Sequence, residues 1–185
     1  MNARMVLFAA AGFAGWLVAG GGGPAWAKET TMSMTLTSPA FAEGQAIPKK
    51  YSGQGENISP PLNWSGAPAG VKSFALIVED PDAPMGTFTH WVIFNLPPDT
   101  TVLQANVPTS ETLADGARQG ENDFGRTGYG GPMPPGGNPH RYYFKIFALD
   151  TLLDLEPGAS EKQLLKAVRE HVLAEGQLMG TYQRQ

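Results

Sequence analysis

The chain has 185 residues, 42% hydrophobic and 16% charged, with a formal net charge of −4, enough for one domain with a real core and too apolar for general disorder. An acidic chain lacks the phosphate-neutralising surface that nucleic-acid binding needs, so no nucleic-acid partner is expected. Cysteine is absent, which excludes disulfide scaffolds, thiol nucleophiles, iron–sulfur clusters and cysteine-held zinc.

In chain order, the N-terminus carries Arg4, an apolar run Met5–Ala19, the stretch Gly20–Pro24 and then Ala25-Trp26-Ala27. This is the order of charge, apolar segment and small-x-small site in a secretory signal peptide, with cleavage expected after Ala27. As a helix the apolar run reaches about 22 Å, short of a ~30 Å hydrocarbon core. Residues 1–27 are therefore predicted to be a signal peptide, and residues 28–185 a single exported domain, periplasmic or secreted, with no stable membrane insertion after cleavage.

Short runs of β-branched and aromatic residues separated by Pro/Gly clusters predict a mainly β fold, an antiparallel β-sandwich-like core with one or two peripheral helices. Met34–Thr37 alternates and Pro61–Trp64 reads as a short edge-like piece. Ser73–Glu79, Thr87–Leu96 and Arg141–Leu149 are nearly continuous apolar runs, as expected of central strands covered on both faces. Between the last two, Pro97–Pro139 reads mostly as loop, and a loop of that length invites a search for a site.

One segment is predicted to be helical. Ser160 and Gln163 make a capping box after Pro157-Gly158, and Leu164, Leu165, Val168, Val172 and Leu173 fall on one face at helical spacing. Gly176 is the expected stop, with Gln177–Tyr182 returning as a last strand. His171 is read as a surface residue of this helix.

Two segments carry the candidate chemistry. Asp80-Pro81-Asp82-Ala83-Pro84 follows the first central strand, with His90-Trp91 in the next; Gly128-Tyr129-Gly130-Gly131-Pro132-Met133-Pro134-Pro135 leads into His140-Arg141-Tyr142. Proline stiffens such loops and glycine leaves backbone N–H groups approachable, so Gly130 and Gly131 are expected to offer bare amides to an anion. The histidines add donors that strengthen on protonation and Tyr142 adds a hydroxyl. Asp80 or Asp82 is expected to fix a histidine tautomer, or to repel a dianion and so favour a singly charged ligand. Taken singly, Asp-Pro-Asp is ordinary turn chemistry and His90 an ordinary core histidine; the combination in one short chain marks a site.

These two segments, together with Glu56-Asn57-Ile58-Ser59-Pro60-Pro61-Leu62-Asn63-Trp64, resemble the signature regions of the phosphatidylethanolamine-binding protein family, in its bacterial Raf-kinase-inhibitor-like branch. The resemblance spans about Met34 to Tyr182. It implies a β-sandwich-like fold with a small pocket accepting phosphate, phosphorylated headgroups or similar anions. Carried over residue by residue, the ligand-binding set is Asp80, His90, Gly131, His140 and Tyr142, with Pro84 and Pro134 shaping the wall. The sequence departs from the mammalian branch at Trp91, where no second histidine follows His90, and at Met133, where that branch has glycine. The bacterial branch includes dimers, so a homodimer is expected.

The leading expectation is a non-enzymatic small-anion or phospho-ligand binding protein of the cell envelope, with no cofactor and no metal. The alternative is an inhibitor or interaction protein docking an envelope protease or other protein partner. A hydrolase using Asp80, His90 and His140 ranks below both, because no HExxH helix, Gly-x-Ser-x-Gly turn or P-loop accompanies them.

Overall fold

The near-continuous apolar runs become strands Ser73–Asp80, Phe88–Leu96 and His140–Leu149, because a strand covered on both faces has no solvent side on which to alternate. The computed structural model describes residues 32–185; the predicted signal peptide and its cleavage site lie outside them. In chain order the elements are β1 (Met32–Ser33), β2 (Thr35–Thr37), a 3-10 turn (Lys49–Tyr51), β3 (Leu62–Ser65), β4 (Ser73–Asp80), β5 (Phe88–Leu96), β6 (Val102–Leu103), β7 (Arg118–Gln119), β8 (Glu121–Asn122), β9 (Arg126–Thr127), β10 (His140–Leu149), α1 (Glu161–Val168) and β11 (Val172–Tyr182).

The main sheet has the order β1-β11-β10-β4-β5-β7, antiparallel except where β1 runs parallel to β11. One face meets the smaller sheet β2-β3-β6 through Leu36, Leu62, Trp64, Phe74, Leu76, Trp91, Ile93, Phe144 and Ile146. The other is covered by α1, with Leu164 and Val168 against Ala75, Ile77, Val92 and Phe94. The architecture is the predicted β-sandwich-like core with a peripheral helix. Most of Pro97–Pro139 is loop, interrupted by the two-residue strands β6 to β9.

Three expectations are corrected. The segment predicted as an edge-like piece is β3, and it is the central strand of its sheet, paired to β2 and β6. The helix begins as predicted, with both hydrogen bonds of the Ser160–Gln163 capping box formed, but it ends at Val168 and leaves Leu165 exposed. Val172 and Leu173 instead open β11, which pairs with β10 from Val172 to Tyr182. Two helical turns bury all the apolar surface that the sheet accepts there, and the strand ladder takes the rest. Gly176 is a mid-strand residue, not a helix stop: a Cβ there would come within 2.7 Å of the Met34 carbonyl oxygen. His171 thus lies in the turn between α1 and β11, where its Nδ1 meets Asp150 Oδ1 at 2.8 Å.

Candidate functional site

Strands β5, β4 and β10 are neighbours, and their order brings the C-terminal end of β4 beside the N-terminal ends of the other two. Alternation along β4 puts Asp80 on the same face as Val78 and Leu76, and along β10 it puts His140 and Tyr142 with Phe144 and Ile146. His90 reaches that face by a different route. Val92 and Phe94 face α1 while Trp91 and Ile93 face the small sheet, so strict alternation would turn His90 toward the helix. The register between β4 and β5 shifts at this point, with Val78 opposite Trp91 but Glu79 opposite Thr89. The extra residue is His90, and the resulting β-bulge re-aims its side chain to the face of Asp80.

There the side chains enclose a hollow of about 180 Å³, lined by Asp80, His90, His140 and Tyr142, the loop residues Ala83, Pro84, Met133, Pro134 and Pro135, and two aromatic rings, Phe88 and Phe124. Of the seven residues expected from sequence, Gly131 alone is not on this wall; it lines a neighbouring hollow with Asn57 and Arg126. The expectation of bare amides fails. The Gly131 N–H donates to Asn57 Oδ1 at 2.7 Å, and the Gly130 N–H donates to the His90 carbonyl at 2.9 Å. Glycine is required here for close approach: a Cβ on Gly131 would come within 2.5 Å of the Tyr51 carbonyl oxygen, and one on Gly130 within 2.6 Å of the Phe124 ring.

The polar groups are orientated by hydrogen bonds that settle their roles. His90 Nδ1 lies 2.6 Å from the Gly130 carbonyl oxygen; a carbonyl only accepts, so Nδ1 carries the proton and the neutral ring keeps Nε2 as an acceptor. Burial holds its pKa below the usual 6.5, against the opposing pull of the Gly130 carbonyl and the Asp80 charge. Its ring is boxed by Phe88, Phe124 and Tyr142, at centroid distances of 5.2, 5.3 and 5.1 Å. His140 Nδ1 meets Asp80 Oδ2 at 2.8 Å, so it is Asp80, of the two candidate aspartates, that orients a histidine. Asp80 Oδ1 accepts the Asp82 N–H at 2.8 Å, closing the turn.

Asp82 has a different task. Its carboxylate takes Arg141 Nε at 2.9 Å, Nη2 at 2.7 Å and the Arg141 backbone N–H at 2.9 Å, and these bonds pull its pKa down to about 2. The pair ties the loop after β4 to the start of β10. Tyr142 is 1% exposed and its hydroxyl makes no well-formed hydrogen bond; burial first, then the charge and the hydrogen-bonding reach of the Asp80 carboxylate, raise its pKa well above the ordinary phenol value. A buried hydroxyl left unpaired costs about 1–3 kcal/mol, so this group at the wall of a hollow points to a ligand or water. Trp64 Nε1, in the sandwich interior, is the other such group among the described residues.

Sequence reasoning missed Phe88 and Phe124. Phe88 carried a signal, since it lies in the strand containing His90, but Phe124 comes from the long loop and nothing local marks it. Larger hollows exist, about 560 Å³ beside α1 and about 680 Å³ near the C-terminal residues, but no buried unpartnered polar atom lines either. Among the described residues no group of three or more His, Asp or Glu side chains is arranged to hold a metal ion, and no helix is long and apolar enough to cross a membrane.

Comparison with known proteins gives consistent matches. Residues 37–183 match the family model described as phosphatidylethanolamine-binding protein. A UPF0098 protein of Methanothermobacter thermautotrophicus is 56% identical over 151 residues, covering 82% of this chain and 99% of that protein. A crystal structure of a phosphatidylethanolamine-binding protein homologue from Chlamydia trachomatis is 45% identical, with a TM-score of 0.76 over 83% of this chain and 99% of that one. The structure of Escherichia coli YbcL, described as a member of the mammalian family, is 34% identical with the same TM-score and coverage.

Proposed function

The chain belongs to the phosphatidylethanolamine-binding protein family, and on that premise we propose that the hollow at the ends of β4, β5 and β10 binds a small singly charged anion, of the phosphate or phosphomonoester class, without turning it over. The observation that carries this reading is the donor and acceptor inventory around Tyr142. The hydroxyl of Tyr142 is buried and unpaired, His90 Nε2 is left as an acceptor by the bond from Nδ1 to Gly130, and His140 gives one nitrogen to Asp80 and donates from the other when protonated. A monoanionic phosphate has both an acceptor oxygen for the two donors and a P–OH for His90.

Charge supports the same choice. Asp80 and His140 pair with each other, so the hollow holds no surplus cation for a dianion, which would meet the buried Asp80 carboxylate. Binding fits the side chains better than turnover, since no serine, threonine or cysteine lines the hollow as a nucleophile. The N-terminal charge, apolar run and small-x-small site support an envelope location.

Calorimetric titration with inorganic phosphate at about pH 6 and about pH 8 tests the proposal. Affinity is expected to fall at the higher pH, where phosphate loses the P–OH that His90 Nε2 accepts, and His140→Ala is expected to abolish binding. Absence of binding to the wild type at either pH contradicts it.

A second reading, docking of a protein partner, is favoured by Met85, fully exposed one residue after Pro84, and by Met133, 51% exposed at the pocket. Flexible methionines are suited to adaptable contact surfaces. It requires a partner captured from envelope extract to be released by phosphate and lost with Met85→Ser.

A further inference from the structure

At about 180 Å³, the hollow falls short of the ~300–1,000 Å³ of ordinary small-molecule sites. On the far side of Phe124 and Met133 lies a second hollow of about 270 Å³, walled also by Gly53, Asn57, Arg126 and Gly131. Phe124 and Met133 line both spaces, so the partition is one ring and one thioether thick. It stands where glycine makes room: a Cβ on Gly53 would come within 2.9 Å of the Met133 sulfur. Met133 and Phe124 are both partly open to solvent, and an unbranched thioether changes rotamer easily.

Arg126 occupies the outer side. Its Cζ lies 5.3 Å from the Phe124 ring centroid, and that ring lies 5.3 Å from the His90 ring. Phe124 thus lies against both groups, which are at most about 11 Å apart through its ring centroid. Among the charged side chains lining the two hollows, Asp80 and His140 pair with each other, while the Arg126 guanidinium makes no ion pair or side-chain hydrogen bond among the described residues. A guanidinium presents a planar fork of donors suited to a carboxylate or phosphoryl group.

We propose that the two hollows form one site for an organic phosphate with a second anionic group, the phosphoryl seated beside His90 and His140 and the second anion on Arg126, across the ridge of Phe124 and Met133. This deepens, and rests on, the reading of the inner hollow as an anion pocket. The combined space reaches the size of ordinary ligand sites, and the outer charge sets the preference: a ligand ending in ammonium meets a like charge at Arg126, and one ending in a hydroxyl gains no ion pair.

The test is calorimetry at about pH 6 with four probes: inorganic phosphate, glycerol 3-phosphate, 3-phosphoglycerate and phosphoethanolamine. Binding of 3-phosphoglycerate is expected to be about tenfold tighter than that of glycerol 3-phosphate, with phosphoethanolamine weakest of the organic probes. Arg126→Gln is expected to remove the tenfold gap and leave the affinity for inorganic phosphate within about twofold. Equal affinities for 3-phosphoglycerate and glycerol 3-phosphate, tighter binding of phosphoethanolamine, or an equal loss for every probe in Arg126→Gln overturns the two-anion site while the phosphate pocket stands. Failure of all four probes to bind the wild type overturns both.

Discussion

His140 gives its Nδ1 to Asp80 at 2.8 Å, joining residues 60 positions apart through the adjacent ends of β10 and β4. Asp80 is almost fully buried and spends its other oxygen on the Asp82 N–H, so the carboxylate is fixed before any ligand arrives. One contact therefore decides which histidine nitrogen faces the hollow and supplies the negative charge that a protonated imidazole needs.

Asp80→Asn keeps the shape and removes the charge. Phosphate affinity at about pH 6 is expected to fall at least tenfold, because a neutral amide oxygen holds the His140 ring less firmly than the carboxylate that accepts from it. Stability is expected to fall by about 1–3 kcal/mol through the weakened buried hydrogen bonds, which urea unfolding measures. Unchanged affinity would remove Asp80 from the account.

Tyr142→Phe separates binding from stability. The hydroxyl is buried without a partner in the free protein, so its removal is expected to leave the melting temperature unchanged or raise it by a few degrees, at roughly 2–4 °C per kcal/mol for a chain of this size. Phosphate affinity is expected to drop about five- to tenfold. A lower melting temperature with unaltered affinity contradicts the role given to this group.

The His90 imidazole, with its pKa lowered chiefly by burial, is expected to titrate by NMR below 6.5, with Nδ1 as its protonated nitrogen. The folded state binds this proton more weakly than the unfolded chain does. The stability that the neutral ring contributes is thus fully present above pH 6.5 and is lost as pH falls through the folded-state pKa. A midpoint above 6.5 in the free protein contradicts the burial argument.

On the opposite face of the sheet, Glu161 accepts a hydrogen bond from Thr89 Oγ1. Burial raises its pKa, with the Glu79 and Asp123 charges adding to the shift and the Thr89 bond opposing it. The N-terminus of α1 favours a negative charge, while burial disfavours it. The folded state therefore binds this proton more tightly than the unfolded chain, and stability declines as pH rises from the ordinary carboxylate range through the folded-state pKa. Glu161→Gln is expected to raise the melting temperature at about pH 7 and to change it by nothing measurable at about pH 4. A loss of stability at pH 7 would show the charge to be favourable where it stands.

The sequence carried the strands because burial on both faces leaves a local mark: Ser73–Glu79 has almost no polar position. It carried the start of α1 because a capping box is complete within four residues. It did not carry the helix end, since the continuation at Val172 is decided by the ladder with β10. Asp80, His140 and Tyr142 could be placed on one face by alternation, but the bulge that turns His90 to join them depends on its register against β4. The amides of Gly130 and Gly131 looked free because their partners are distant: Asn57 lies 74 residues from Gly131, and His90 lies 40 from Gly130. Phe124 belongs to the same class, reaching the His90 ring only because Gly130 lacks a side chain.

The most direct measurement is a phosphate titration at about pH 6 followed by the imidazole nitrogen signals of all three histidines. The account predicts that His90 and His140 shift together and saturate at one phosphate per chain, while His171, paired with Asp150 in the turn before β11, stays still. Silence at His90 and His140, or an equal drift at His171, contradicts it.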